Sequence, residues 1–224
     1  MSLKIIPFLA ELAQNNHKDW FDEHRNQYDT ARTELVELVS EMLNALSPIE
    51  PWVSILSPSK CIFRINRDVR FSNNKEPYKT GIGVFIAPGG RSAGNAGYYL
   101  HIEPGKSFIG GGIYAPSPEV LKAIRQEIYY NAADFLSIIN HPGFKEKYGE
   151  MLDERLKRPP KGFPADFDYV ELLKYKHYVV SHPLVLDHYS RESMIENLMP
   201  YFAEINHFVR FLNESISNAA HGNP

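Results

Sequence analysis

The sequence holds a single cysteine, Cys61, in 224 residues. No disulfide can close within such a chain, and that usage suits a reducing compartment. No apolar run approaches the roughly 20 residues needed to cross a bilayer. The opening Met1-Ser2-Leu3-Lys4-Ile5-Ile6-Pro7 is too short an apolar stretch for a signal peptide, and Glu11 soon interrupts it. A cytoplasmic protein without membrane contact is therefore expected. Positive charge is not in excess: the formal net charge is −3, which argues against general affinity for nucleic acid or anionic lipid. Ligand and nucleophile signatures are also missing. His17 and His24 stand two helical turns apart, His177 and His182 lie in irregular sequence, and no His-x-x-x-His or Cys pair exists, so no metal site is read. No Gly-x-Ser-x-Gly elbow occurs, and Cys61 lies among alternating apolar residues as an inert thiol. Gly110-Gly111-Gly112 is followed by neither Gly-Lys-Ser/Thr nor a helix, which removes the Walker and dinucleotide loops. No cofactor is expected.

What is present is enough for a core. Hydrophobic residues make up 43% and charged residues 23%, both ordinary for a globular chain, so long disorder is not expected. Without a repeat or a Gly/Ser linker, residues 1–224 read as one α+β domain in three zones. Residues 3–47 read as helical: Phe8, Leu9 and Leu12 make a stripe stopped by Asn15-Asn16, residues 17–25 make a short helix with Trp20 and Phe21, and Leu35 to Leu46 repeats at i, i+3, i+4. Residues 53–114 read as a mainly antiparallel sheet. Cys61, Phe63 and Ile65 alternate with Ile62, Arg64 and Asn66; Ile82, Val84 and Ile86 with Gly83, Phe85 and Ala87; Tyr98, Leu100 and Ile102 with Tyr99, His101 and Glu103. Turn residues join these runs at Ser72-Asn73-Asn74, Pro88-Gly89-Gly90 and Pro104-Gly105. Residues 117–216 read as mainly helical, with a late strand over 174–180 and a helical end that breaks near Pro200.

The most unusual stretch runs from Lys60 to Lys79. It carries six basic residues (Lys60, Arg64, Arg67, Arg70, Lys75, Lys79) against Asp68 and Glu76, a local excess of +4 that leaves about −7 for the rest. Guanidinium forks match phosphate and carboxylate geometry, so Arg64, Arg67, Arg70, Lys75 and Lys79, with Tyr78 and Tyr99 for hydrogen bonds or stacking, are candidate ligand-binding residues. The alternative is a solvated strand edge on which Asp68 pairs with Arg64 or Arg70. Both readings stand. The glycine run offers close approach to a backbone, a ring or a ligand, which makes Gly111 a candidate as well. No catalytic residue is assigned. His101, with Glu103 on the same strand face, and Asp68 are the candidate general bases; an Asp68 held by two arginines would stay ionised and organise structure instead.

These segments together resemble the family of conserved hypothetical proteins catalogued as domain of unknown function 2461. The resemblance is carried by Asn15-Asn16, Trp20-Phe21, Arg25 and Tyr28; by Phe63-Arg64, Arg67-Asp68-Val69-Arg70-Phe71, Lys75 and Pro77-Tyr78-Lys79; and by Tyr99, His101, Pro104, Gly110-Gly111-Gly112, Ile113-Tyr114, Arg125 and Pro160-Lys161-Gly162-Phe163. It implies an α+β fold and supplies no activity, substrate or cofactor. On the residues alone, two functions compete: a site for a small anionic ligand, phosphorylated or carboxylate, or a module that recognises an acidic protein partner through an Arg/Tyr patch. The negative total disfavours a nucleic-acid partner.

Overall fold

Ile5, Ile6, Phe8, Leu9 and Leu12 recur one helical turn apart, and α1 (Ile5–Gln14) buries all five. The computed structural model describes residues 3–186 and 189–220. The Asn15-Asn16 stop ends α1, and the His17 ring accepts the Trp20 N–H at 3.3 Å to open α2 (Lys18–Glu23). The long helix α3 (Arg25–Leu46) buries Tyr28, Ala31, Leu35, Leu38, Val39, Met42, Leu43 and Leu46 on one stripe. Strand structure does not begin at residue 53. Proline at the first position opens a 3₁₀ turn at Pro51–Ile55 and a one-turn helix α4 at Pro58–Cys61, where a fixed φ favours helical turns. Cys61 is therefore buried at the end of a helical turn rather than in a strand.

Among the described residues, four strands form one antiparallel sheet in the order β1 (Ile82–Ile86), β2 (Gly97–Ile102), β3 (Phe108–Ile113), β4 (Tyr178–Pro183). With helices at both ends of the chain, the fold is α+β. The β2–β3 connection has Pro104 followed by Gly105 at φ +72°, closed by the Lys106 N–H on the Glu103 carbonyl at 3.0 Å, the pattern of a type II turn. The late strand starts at Tyr178, not at residue 174, because α8 (Val170–Leu173) takes Lys174 as its C-terminal cap.

By internal contacts the chain divides into two compact units. The first comprises Met1–Ile86, Tyr99–Ile109 and Pro183–Pro200. In it α1 and α2 pack on α3, α3 on α4 and the 3₁₀ turn, and α4 on β1. The second comprises Ala87–Tyr98, Gly110–His182 and Tyr201–Pro224. Here α10 (Asn206–Ala220) packs on α5 (Pro118–Tyr130) and α6 (Ala132–Ile139), with α7 (Pro142–Tyr148) against α6. Its core is aromatic: Phe135 meets Tyr178, Phe208 and Phe211, and Phe144 meets Tyr148 and Phe208. The helix before α10, α9 (Met194–Glu204), runs through Pro200, and the chain turns at Ile205.

The glycine run of β3 meets backbone and helix. A side chain at Gly110 would strike the Val180 carbonyl, and one at Gly112, which has φ +112°, would strike the Tyr178 carbonyl. At Gly111 a Cβ would lie 2.5 Å from the Ile205 methyl and 2.7 Å from the Gly97 carbonyl. No helix among the described residues is long and apolar enough to cross a membrane.

Candidate functional site

After α4 the chain lies along β1 without becoming a named strand. Ile62 bridges Val84 antiparallel, and the Phe63 N–H donates to the Gly83 carbonyl at 2.8 Å. The segment then doubles back. Asn66 bridges Tyr78, the Arg67 N–H donates to the Pro77 carbonyl at 2.8 Å, and the Lys79 N–H donates to the Ile65 carbonyl at 2.8 Å. The result is an irregular basic hairpin whose free edge is closed by a side chain. The Asn16 amide donates to the Tyr78 carbonyl at 3.0 Å and accepts the Tyr78 N–H at 3.1 Å, taking the place of a strand partner.

Arg67, Asp68, Arg70 and Lys75 lie along the hairpin tip, where Asp68 pairs with Arg70 while Arg67 and Lys75 have partners of their own. The Arg70 guanidinium donates to both Asp68 carboxylate oxygens, at 2.9 and 2.7 Å, and the Arg70 N–H adds a third bond at 3.3 Å. These bonds from Arg70 hold the Asp68 carboxyl below its ordinary range, with Arg64 adding to the effect, and the pair is open to solvent. Arg67 reaches Glu76 and the Ser72 hydroxyl, each at 3.5 Å. Lys75 donates to the Val69 carbonyl at 3.1 Å, and Arg64 is exposed. Phe71, at the tip, is 96% exposed, with the Arg70 guanidinium 5.9 Å over its ring. Tyr78 is the buried root of the hairpin. Its ring stacks on Phe21 at 4.1 Å, and burial raises its hydroxyl above the ordinary value.

The strand face that carries Tyr99, His101 and Glu103 is half-buried and polar. Tyr99 Oη lies 3.1 Å from His101 Nδ1, and His101 Nε2 lies 3.1 Å from Glu103 Oε2. Thr80 Oγ1 donates to the other Glu103 oxygen at 3.3 Å, and the Lys106 ammonium stands 3.9 Å from it. The side chains of His101 and Glu103 keep 21% and 23% exposure, so the row is neither sealed nor free. Phe108 stacks on the His101 ring at 4.8 Å, while Phe63, Phe85 and Phe108 surround Tyr99. Burial raises the Tyr99 hydroxyl above its ordinary value.

Two glycines on β1's side make room for this row. A Cβ at Gly83 would lie 2.5 Å from Tyr99 Oη, and one at Gly81 would lie 2.8 Å from His101 Nε2. Sequence reasoning named Tyr99 and His101 and missed Gly81, Gly83 and Thr80. The signal was available as Gly81-Ile82-Gly83, two glycines at the period of a strand face. Basic hairpin and polar row adjoin at one point: the Lys79 ammonium lies 5.7 Å over the Phe63 ring, whose edge meets Tyr99 at 6.4 Å. Gly111 faces Ile205 and Val209 in the second unit. Among the described residues no group of three or more His, Cys, Asp or Glu is arranged to hold a metal ion.

Fold and site together define an α+β protein with a basic hairpin set against the edge of its sheet. The chain belongs to the family of conserved hypothetical proteins known as domain of unknown function 2461, whose profile matches residues 4–211. No curated protein and no solved structure matches it.

Proposed function

We propose that the protein binds a small anionic ligand, phosphorylated or carboxylate, where the basic hairpin adjoins the polar face of β2. In this reading Lys79 and Arg64 neutralise the ligand, Tyr99 hydrogen-bonds it, and Arg67, Arg70 and Lys75 add to the attractive field. The observation that carries the reading is the Lys79–Phe63–Tyr99 contact, in which a cation and a half-buried tyrosine ring meet one phenylalanine. Glu76 and Asp68 engage Arg67 and Arg70, while the Arg64 side chain is exposed to solvent where an anion can reach it. A thermal-shift series with inorganic phosphate and nucleoside phosphates tests this. A ligand at a hundred times its Kd stabilises the folded state by about 2.7 kcal/mol. The wild type should gain stability with at least one anion, and Arg64→Ala with Lys79→Ala should lose that gain. Stabilisation by none of them would remove the proposal.

The second reading is recognition of an acidic protein, and Phe71 favours it. An almost fully exposed ring beside Arg70 combines the two residue types that dominate interface energies. Phe71→Ser should abolish such an association while leaving stabilisation by phosphate untouched, which separates the two readings.

A further inference from the structure

The hydrogen-bond chain on β2 has a direction. Glu103 carries only acceptor oxygens when ionised, so the His101 nitrogen facing it, Nε2, carries the proton of the neutral ring. Nδ1 is then a lone pair, and the Tyr99 hydroxyl donates to it. The order is that of a carboxylate orienting an imidazole that in turn accepts from a hydroxyl, the arrangement by which a carboxylate fixes the tautomer and stabilises the imidazolium. Here Tyr99 and His101 sit at alternate positions of β2 and Glu103 follows one residue past its end, so the strand and the turn it enters align the three groups. Both ring nitrogens of His101 are engaged, and Tyr99 Oη, having donated to Nδ1, keeps lone pairs to offer.

His177 shows what the same pair does when it is purely structural. Its Nε2 faces Glu154 at 3.0 Å, but its Nδ1 accepts a backbone N–H, that of Ala115, at 2.9 Å. An amide has no proton to yield, so His177 can only hold the loop. At His101 the donor is an ionisable hydroxyl. The site also carries the marks of a position kept clear: Gly81 and Gly83 stand where any side chain would displace His101 or Tyr99.

We propose that Tyr99, His101 and Glu103 form a proton relay in which Tyr99 Oη is the general base and acid toward the ligand. This rests on the anion-binding reading above for the class of ligand, an anion bearing a transferable proton. In the forward step the ligand's X–H bond breaks and its proton goes to Tyr99 Oη. The Tyr99 proton passes at the same time to His101 Nδ1, and the imidazolium is stabilised by the Glu103 carboxylate. The reverse step returns both protons, so nothing is consumed. Positioned proton transfer of this kind contributes about 10²–10⁴-fold to a rate. His101 and Glu103 are positioning residues; Tyr99 is the group that meets the ligand.

Acetylation by N-acetylimidazole, mapped by peptide mass, reads the relay without any ligand. The reagent is neutral, so failure of anion binding leaves this result intact, and failure here leaves anion binding intact. Tyr99 is half-buried, whereas Tyr114 and Tyr130 are each 68% exposed. The expected result is that Tyr99 is acetylated faster than either, and that Glu103→Gln and His101→Gln each slow Tyr99 by at least about tenfold without changing Tyr114 or Tyr130. Tyr99 reacting no faster than those two, or unchanged in either variant, overturns the proposal. Should a variant fail to fold, the ¹⁵N spectrum of the wild-type histidines decides. The proton of neutral His101 is expected on Nε2, and a proton on Nδ1 overturns the relay.

Discussion

Asn16 shows how much one side chain can carry. Its amide supplies both a donor and an acceptor to the Tyr78 backbone across 62 residues of sequence, and without it that N–H and carbonyl lose their partners. Leaving partly buried backbone groups unsatisfied costs about 1–3 kcal/mol, so Asn16→Ala should lower stability by that order in urea unfolding, and Asn16→Asp should recover only part of it. Asp68 is the opposite case. It makes three bonds to Arg70, yet carboxylate and guanidinium are both open to solvent, where water and salt replace such a pair readily. Its lowered pKa means that any stabilisation is present above the carboxylate's unfolded value and fades as pH falls through the folded one. At neutral pH, Asp68→Asn should therefore leave the melting temperature unchanged within the error of the scan; a clear drop would mean that the pair organises the hairpin. The Asp68–Arg70 pair was legible because the partners are two residues apart. Asn16's role was not, because Asn15-Asn16 reads locally as a helix stop and nothing near it names Tyr78.

Period two in the sequence found β1 and β2, and period 3.6 found α1 and α3, because their apolar residues recur at the spacing of the element that buries them. The hairpin at 62–79 escaped that logic. Its apolar residues alternate like a strand's, but Pro58 starts a helical turn before it, and its pairing rests on isolated bridges and on Asn16. The glycines of β3 could be read as a close approach, while the approaching groups, the Val180 and Tyr178 carbonyls, lie some seventy residues on, beyond what a local pattern carries. Another long tie joins α3 to the segment before α9. Arg191 donates to both Glu41 oxygens at 2.9 and 2.7 Å, and this bonding lowers the Glu41 pKa. A depressed carboxylate stabilises the fold above its unfolded pKa, and the benefit disappears as pH falls through the folded one. Glu41→Gln should cost about 0.5 kcal/mol at pH 7, since Glu41 is half exposed, and nothing once both states are protonated at low pH. Denaturant midpoints of the two proteins at neutral and acid pH check the convergence; a gap that persists in acid would contradict the pairing.

Over the whole molecule, the +4 of residues 60–79 stands against about −7 elsewhere, and that contrast was readable from residue counts. Counts could not reveal that Lys79 lies over Phe63, the ring that meets Tyr99. The row itself was half visible: alternation put Tyr99, His101 and Glu103 on one face, two of them in β2 and the third just past its end, and only the fold brought Gly81, Gly83 and Thr80 against them. An anion held by exposed and half-buried cations should also bind less tightly as salt rises, since the Debye length falls from about 10 Å at 0.1 M to 3 Å at 1 M. The most direct measurement is an amide NMR titration of the wild-type protein with inorganic phosphate and then a nucleoside monophosphate. The account predicts saturable shifts concentrated at residues 63–67, 78–83 and 99–106. Shifts confined to the hairpin tip at 68–76, or spread without saturation over the surface, would contradict it.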